Sequence, residues 1–161
     1  MEEFDDKQSK IEALRLHFMP LIGEEMSRFE TAQIKLNGEW VQWFDLPIRL
    51  YFGHGFLVSI AWSHFDKLCI SNDKSLNFPT EGSEVRWISN KIDVIKPALS
   101  GKLISVKLGR GELCIGDHHF EIWTRMLLEL DNGWFEVFNN FDENAFCFHL
   151  DKPDGEFISC C

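Results

Sequence analysis

Hydrophobic and polar positions alternate along this chain with two different periods. Near the start, Ile11, Leu14, Phe18 and Leu21 recur at spacings of three and four behind an acidic run of Glu2, Glu3, Asp5 and Asp6. That spacing predicts an amphipathic helix over about residues 5–18, with the acids at the positive end of its dipole and Pro20 closing it. An isolated helix this short is marginal in water, so its apolar stripe is expected to pack on the rest of the chain.

From about residue 29 to 149 the pattern is strand-like. Ala32, Ile34 and Leu36 alternate with polar neighbours, and Asn37-Gly38 then supplies a hairpin turn into residues 40–44; an Asn-Gly pair takes the positive backbone angles of a type I′ turn. Pro47 interrupts the ladder. Residues 48–52 and 56–62 form a further hairpin about Gly53-His54-Gly55, with a short strand at 67–71 and another at 84–89. Residues 72–82 collect the Asn, Asp, Ser, Pro and Gly of a surface loop. Residues 90–100 read as an irregular connection or a single turn, because Pro97 would break any helix there.

The strongest hairpin signal lies in residues 120–148, where strands 120–130 and 134–138 flank Asn132-Gly133. Ahead of it, residues 102–108 alternate cleanly and Gly109-Arg110-Gly111 is expected to turn the chain into 112–115. A last strand at 145–149 precedes a polar tail. Hairpin-joined strands imply antiparallel neighbours. The expected fold is α+β and mostly β: a curved antiparallel sheet or partly closed barrel built from hairpins, with the N-terminal helix packed on it, as a single domain over 1–161.

Composition sharpens this picture in three ways. Fifteen Phe and six Trp against one Tyr make the core bulky, which suits strand faces. The net charge of −10 repels phosphate backbones and anionic membranes, so nucleic-acid and membrane binding are not expected, while basic partners are attracted. No apolar run is long enough to span a membrane, and the acidic start lacks the basic and apolar regions of a secretory signal; the expected compartment is the cytoplasm. Five cysteines without framework spacing read as reduced thiols, with Cys69, Cys114 and Cys147 as small buried hydrophobes. Cys160 and Cys161 read as fraying tail thiols, and Ile158 stands where prenylation would need a cysteine.

Candidate chemistry is sparse. Asp117, His119 and Glu121 would share one strand face and, with His118, offer metal-ligand types. Cys147 with His149, and His64 with Asp66, also share faces, but each pair lacks the further partner a site requires. Ser100-Gly101-Lys102-Leu103 lacks the Ser or Thr and the first glycine of a phosphate loop, Gly109-Arg110-Gly111 lacks the third glycine of a dinucleotide fingerprint, and no Gly-x-Ser-x-Gly elbow occurs. No cofactor is implied. The remaining feature is a set of acids, Glu129, Asp131, Glu136, Asp142 and Glu143, with Trp134 and Phe141 beside them. It reads either as a solvated rim that blocks edge pairing or as a surface on which acids steer a basic protein and aromatics anchor it.

The segments Leu130-Asp131-Asn132-Gly133-Trp134-Phe135 and Asn140-Phe141-Asp142-Glu143-Asn144 resemble small bacterial immunity proteins of polymorphic toxin and contact-dependent inhibition systems, over about residues 101–148. The resemblance implies a cytosolic antidote that binds a cognate, basic toxin domain and blocks it without catalysis, and it supplies no catalytic residues. Two alternatives stay open at this point. One is a small-molecule or metal-binding enzyme using the His118-His119 region. The other is a homodimeric adaptor joined through a strand edge.

Overall fold

The computed structural model describes residues 2–75 and 78–161. Leu76 and Asn77, within the expected 72–82 loop, lie outside the described residues. Asp6 sets the first boundary: its side chain accepts a hydrogen bond from the Ser9 N–H at 2.9 Å, so it caps the helix and α1 runs Lys7–Phe18. The acids before it are therefore outside the first turn. Glu3–Phe4 instead forms a short strand, β1, and Pro20 lies in a 3-10 turn at Met19–Leu21 that ends the helical run.

The first sheet is built from β2 (Met26–Leu36), β3 (Glu39–Gln42), β4 (Ile48–Phe52), β5 (Phe56–Ser63), β6 (Lys67–Ser71) and β7 (Val85–Ser89). Its order is β1-β6-β5-β4-β2-β3, with β7 on the other edge of β2. The second sheet contains β8 (Leu103–Ile115), β9 (His118–Leu130), β10 (Gly133–Asn140), β11 (Glu143–His149) and β12 (Phe157–Ser159), in the order β11-β10-β9-β8-β12. Every pairing is antiparallel. The chain is thus mostly β with one N-terminal helix, as its hairpin pattern predicts, but the strands divide between two sheets and close no barrel.

Three local expectations change. Gly109-Arg110-Gly111 is not a turn, and β8 runs through it as one strand. The glycines are needed for close approach, since a Cβ on Gly109 would come within 2.5 Å of the Phe157 ring and one on Gly111 would overlap the Thr124 hydroxyl. At the central hairpin Leu130 pairs with Gly133, so Asp131 and Asn132 occupy the turn, and only Gly133 has a positive φ, 151°. Asn132 is drawn aside to donate to the Pro97 carbonyl at 3.0 Å. The polar tail is the third change. It adds β12 to the edge of β8, and its last residues are pinned by bonds between Val106 and both Cys160 and Cys161. Cys160 is buried and its thiol is pushed up to about 12 by burial, so the tail does not fray. Cys69 is buried as expected, whereas Cys114 is exposed and Cys147 half-buried.

The core draws on the helix and on facing sides of both sheets, with Leu14, Phe18, Phe29, Leu50, Trp62, Met126 and Phe135 all fully buried. Helix α1 lies against β6 and β8. It also brings in Lys10, which is fully buried, donates to the Trp123 carbonyl at 3.0 Å and pairs with Asp66 at 3.3 Å. Burial lowers the Lys10 pKa, and the Asp66 carboxylate opposes that shift.

A second polar group joins the sheets directly. Asn144 of β11 accepts from the Trp62 N–H at 3.0 Å and donates to the carbonyls of Leu46 and Ile60 at 3.2 and 3.3 Å. Asn144→Ala is expected to lower the unfolding free energy by about 3 kcal/mol or more, because three buried backbone groups lose their partner together. Asn144→Asp should cost at least as much, since a carboxylate has no N–H to give the two carbonyls. Urea titrations of the two variants check this; losses near those of an exposed asparagine would show that the amide is dispensable.

Candidate functional site

Two hairpin ends, one from each sheet, meet at one end of the molecule. The β5–β6 turn carries His64 and Phe65 at φ of 38° and 66°, and the β10–β11 turn carries Phe141 and Asp142 at 54° and 68°. Left-handed backbone is costly for a bulky aromatic residue, and it persists only where the surroundings fix it. Here the two turns fix each other. The Phe65 N–H donates to Asp142 Oδ1, Asn139 Nδ2 donates to the Phe65 carbonyl, and the Asp142 N–H donates to Asn139 Oδ1 at 2.8 Å. Both rings project into solvent, Phe65 at 69% and Phe141 at 96% of their full exposure.

Acidic groups surround this pair. The pKa of Asp45, an exposed residue, is raised above its usual value of 3.8, first by partial desolvation and then by the charge of Asp142. Glu143 opens β11 directly after the turn. Beyond the tips, the outer part of the β8–β9 hairpin forms an exposed ribbon, and a cleft of about 410 Å³ separates the two. Phe65 and Phe141 stand on one side of it, Leu113 and Ile122 on the other.

Among the residues singled out by sequence, Phe141, Asp142 and Glu143 come together here, but Glu129, Asp131, Trp134 and Glu136 do not join them. Asp131 and Asp142 sit at opposite ends of β10, whose eight residues span about 26 Å. Asp131 accepts from the Lys102 N–H, and Glu129 from the Ser105 hydroxyl. Trp134 is half-buried opposite His149. Glu136 is only 4% exposed and is shared between Arg125 at 2.5 Å and His149 Nε2 at 3.2 Å. The His149 Nδ1 lies 3.9 Å from Cys147 Sγ, so the structure supplies Glu136 as the third member of that pair, though its carboxylate is already held by Arg125. Asp66 is likewise taken up by Lys10 rather than by His64.

Asp117, His118, His119 and Glu121 are all exposed on the ribbon. His119 faces Cys114 across the two strands, with Nδ1 3.1 Å from Sγ. Among the described residues, no group of three or more His, Cys, Asp or Glu side chains is placed to hold a metal ion. Phe65 was not evident from the sequence as a site residue. A partial signal was present, because a Phe-Asp pair stands between strands three times, at Phe44-Asp45, Phe65-Asp66 and Phe141-Asp142.

No protein-family model, curated protein or solved structure matches this chain. The site therefore rests on its own geometry. No helix of the described residues is long and apolar enough to cross a membrane.

Two stability outcomes follow from this geometry. Phe141→Gly should raise the unfolding free energy by about 1 kcal/mol, because it relieves left-handed strain at a side chain that buries almost nothing; a urea titration reads it, and a loss would mean the ring supports the fold. Asp45→Asn should raise the thermal midpoint slightly at neutral pH, where the folded state carries an exposed but partly desolvated carboxylate facing the charge of Asp142. Since the folded pKa lies above the unfolded value near 3.8, this advantage should shrink as pH falls through the raised pKa and vanish below 3.8. Thermal scans across that range test the sign.

Proposed function

We propose that this chain is a non-catalytic immunity protein that binds and neutralises a basic bacterial toxin domain in the cytoplasm. One observation carries the reading: two strained aromatic turns, braced against each other, hold Phe65 and Phe141 out in solvent instead of burying them. A folded protein has no stability reason to keep a phenylalanine in left-handed backbone and fully wet. Rigid, exposed rings next to carboxylates match what protein interfaces use as anchors, and little ordering entropy is left to lose on binding. The net charge of −10 supplies the long-range attraction for a cationic partner and repels competing polyanions.

In this reading Asp142 and Glu143 lie at the contact. Glu129 and Asp131 contribute to the field from the far end of β10, where Trp134 is half-buried opposite His149, and Glu136 serves the interior of the second sheet. The toxin is held by contact alone, with its own active site covered or distorted.

Co-expression with the toxin encoded by the neighbouring open reading frame should rescue growth, and the two chains should co-purify. Phe141→Gly should weaken that complex by about 2 kcal/mol, roughly 30-fold, while leaving the free protein at least as stable. Association should slow as salt is raised toward ~1 M, where the screening length falls to about 3 Å. Failure of rescue by a soluble, folded chain would overturn the proposal.

A further inference from the structure

The cleft beside the paired turns has features that the turns alone do not explain. Opposite Gly109-Arg110 the ladder slips: Gly109 pairs with Arg125 and Arg110 with Trp123, leaving Thr124 as the extra residue of a β-bulge. Bulges re-aim side chains and recur beside binding sites. Here the bulge turns Thr124 into the cleft wall, where the side chain is 4% exposed and its hydroxyl has no hydrogen-bond partner among the described residues. Gly111 makes room for that hydroxyl, since a Cβ there would overlap it.

The charged residues lining this cleft are Asp142, on the turn side, and Glu112, which the ribbon shares with the neighbouring cleft; both are acidic. The neighbouring cleft across the ribbon differs, because Arg110 and Arg125 line it and are already paired with Glu156 and Glu136. One cleft therefore already contains paired cations, and the other has carboxylates with no lining cation, two aromatic rings at its mouth and an unused hydroxyl on its wall. We propose that the cleft between the paired turns and the β8–β9 ribbon is a binding site for an arginine side chain of the partner protein. This rests on the reading above and names the group that the surface would capture.

Each part of the guanidinium group has a counterpart. Its planar face stacks on Phe65 or Phe141, its N–H groups donate to the Asp142 carboxylate and to the Thr124 hydroxyl, and its aliphatic stem runs along Leu113 and Ile122. Lysine fits less well, because a compact ammonium neither stacks nor forks. The braced turns keep the aromatic side of the cleft fixed before the ligand arrives.

The test uses the intact chain and N-acetyl-arginine methylamide as probe, followed by amide NMR shifts. Saturable shifts centred on Leu113, Thr124 and Asn139 are expected, with the lysine counterpart weaker and the uncharged citrulline counterpart at least about tenfold weaker. Asp142→Asn, which keeps an oxygen for the Phe65 N–H, and the near-isosteric Thr124→Val should each weaken the probe several-fold. Non-saturating shifts spread over the acidic surface, equal binding of citrulline, or unchanged affinity in both variants would overturn the site. The two proposals fail separately: a chain that neutralises its toxin but shows no arginine shift loses only the site, and one that seats arginine without rescuing any toxin loses only the function.

Discussion

Where β4 begins at Ile48, just after Pro47, the edge of β5 beyond Ile60 has no strand beside it on that side. The Trp62 N–H and the Ile60 carbonyl would then face an apolar interior with nothing to bond, at a cost of about 1–3 kcal/mol each. The Asn144 amide fills that position. It satisfies both groups and the Leu46 carbonyl as well, doing for one residue what a neighbouring strand would do. Because Asn144 belongs to the second sheet, the same bonds fix how the two sheets meet. The Trp62 indole reinforces the junction by donating to the Val137 carbonyl at 3.2 Å.

The position of the paired turns follows from that junction. Asn144 lies two residues after Asp142, and Trp62 lies three residues before Phe65. Fixing the first pair brings the second pair within hydrogen-bonding distance, and the Asn139 and Asp142 side chains complete the brace. On the far side of the turns, Lys10 anchors Asp66 and thereby ties the β5–β6 turn to the helix. Strain at Phe65 and Phe141 is thus offset by the brace on the Phe65 backbone together with the interior bonds of Asn144 behind it. An exposed, rigid aromatic surface is what remains.

Two buried carboxylates are each held by a network within one sheet. Glu30, 8% exposed on the outer side of the first sheet, accepts from the Tyr51 hydroxyl at 2.7 Å and from Arg28 at 2.9 Å, with Arg49 stacked 3.4 Å over Trp87 beside it. Glu136 holds Arg125 and His149 in the second sheet. Among the described residues, no fully buried side-chain nitrogen or oxygen lacks a partner. Against this background the Thr124 hydroxyl, which keeps its contact with the cleft, stands out as a group with bonding capacity to spare.

The alternation of apolar residues determined the strands, and the amphipathic stripe determined the helix, because both are local periods that bury one face whatever the partner. Asn37-Gly38 determined its turn for the same reason: positive φ is a property of those two residues, and both show it. The acidic charge and the Phe141-Asp142-Glu143 tip were legible as well. Only the tertiary structure decided that the strands split into two sheets, that Gly109 and Gly111 serve close packing inside one long strand, and that Cys160 is locked in the core. It alone brought Phe65 to Phe141 and sent Glu136 inward, away from them. Those outcomes depend on contacts between residues far apart in the chain, such as Trp62 with Asn144, and no local period encodes which distant groups will meet.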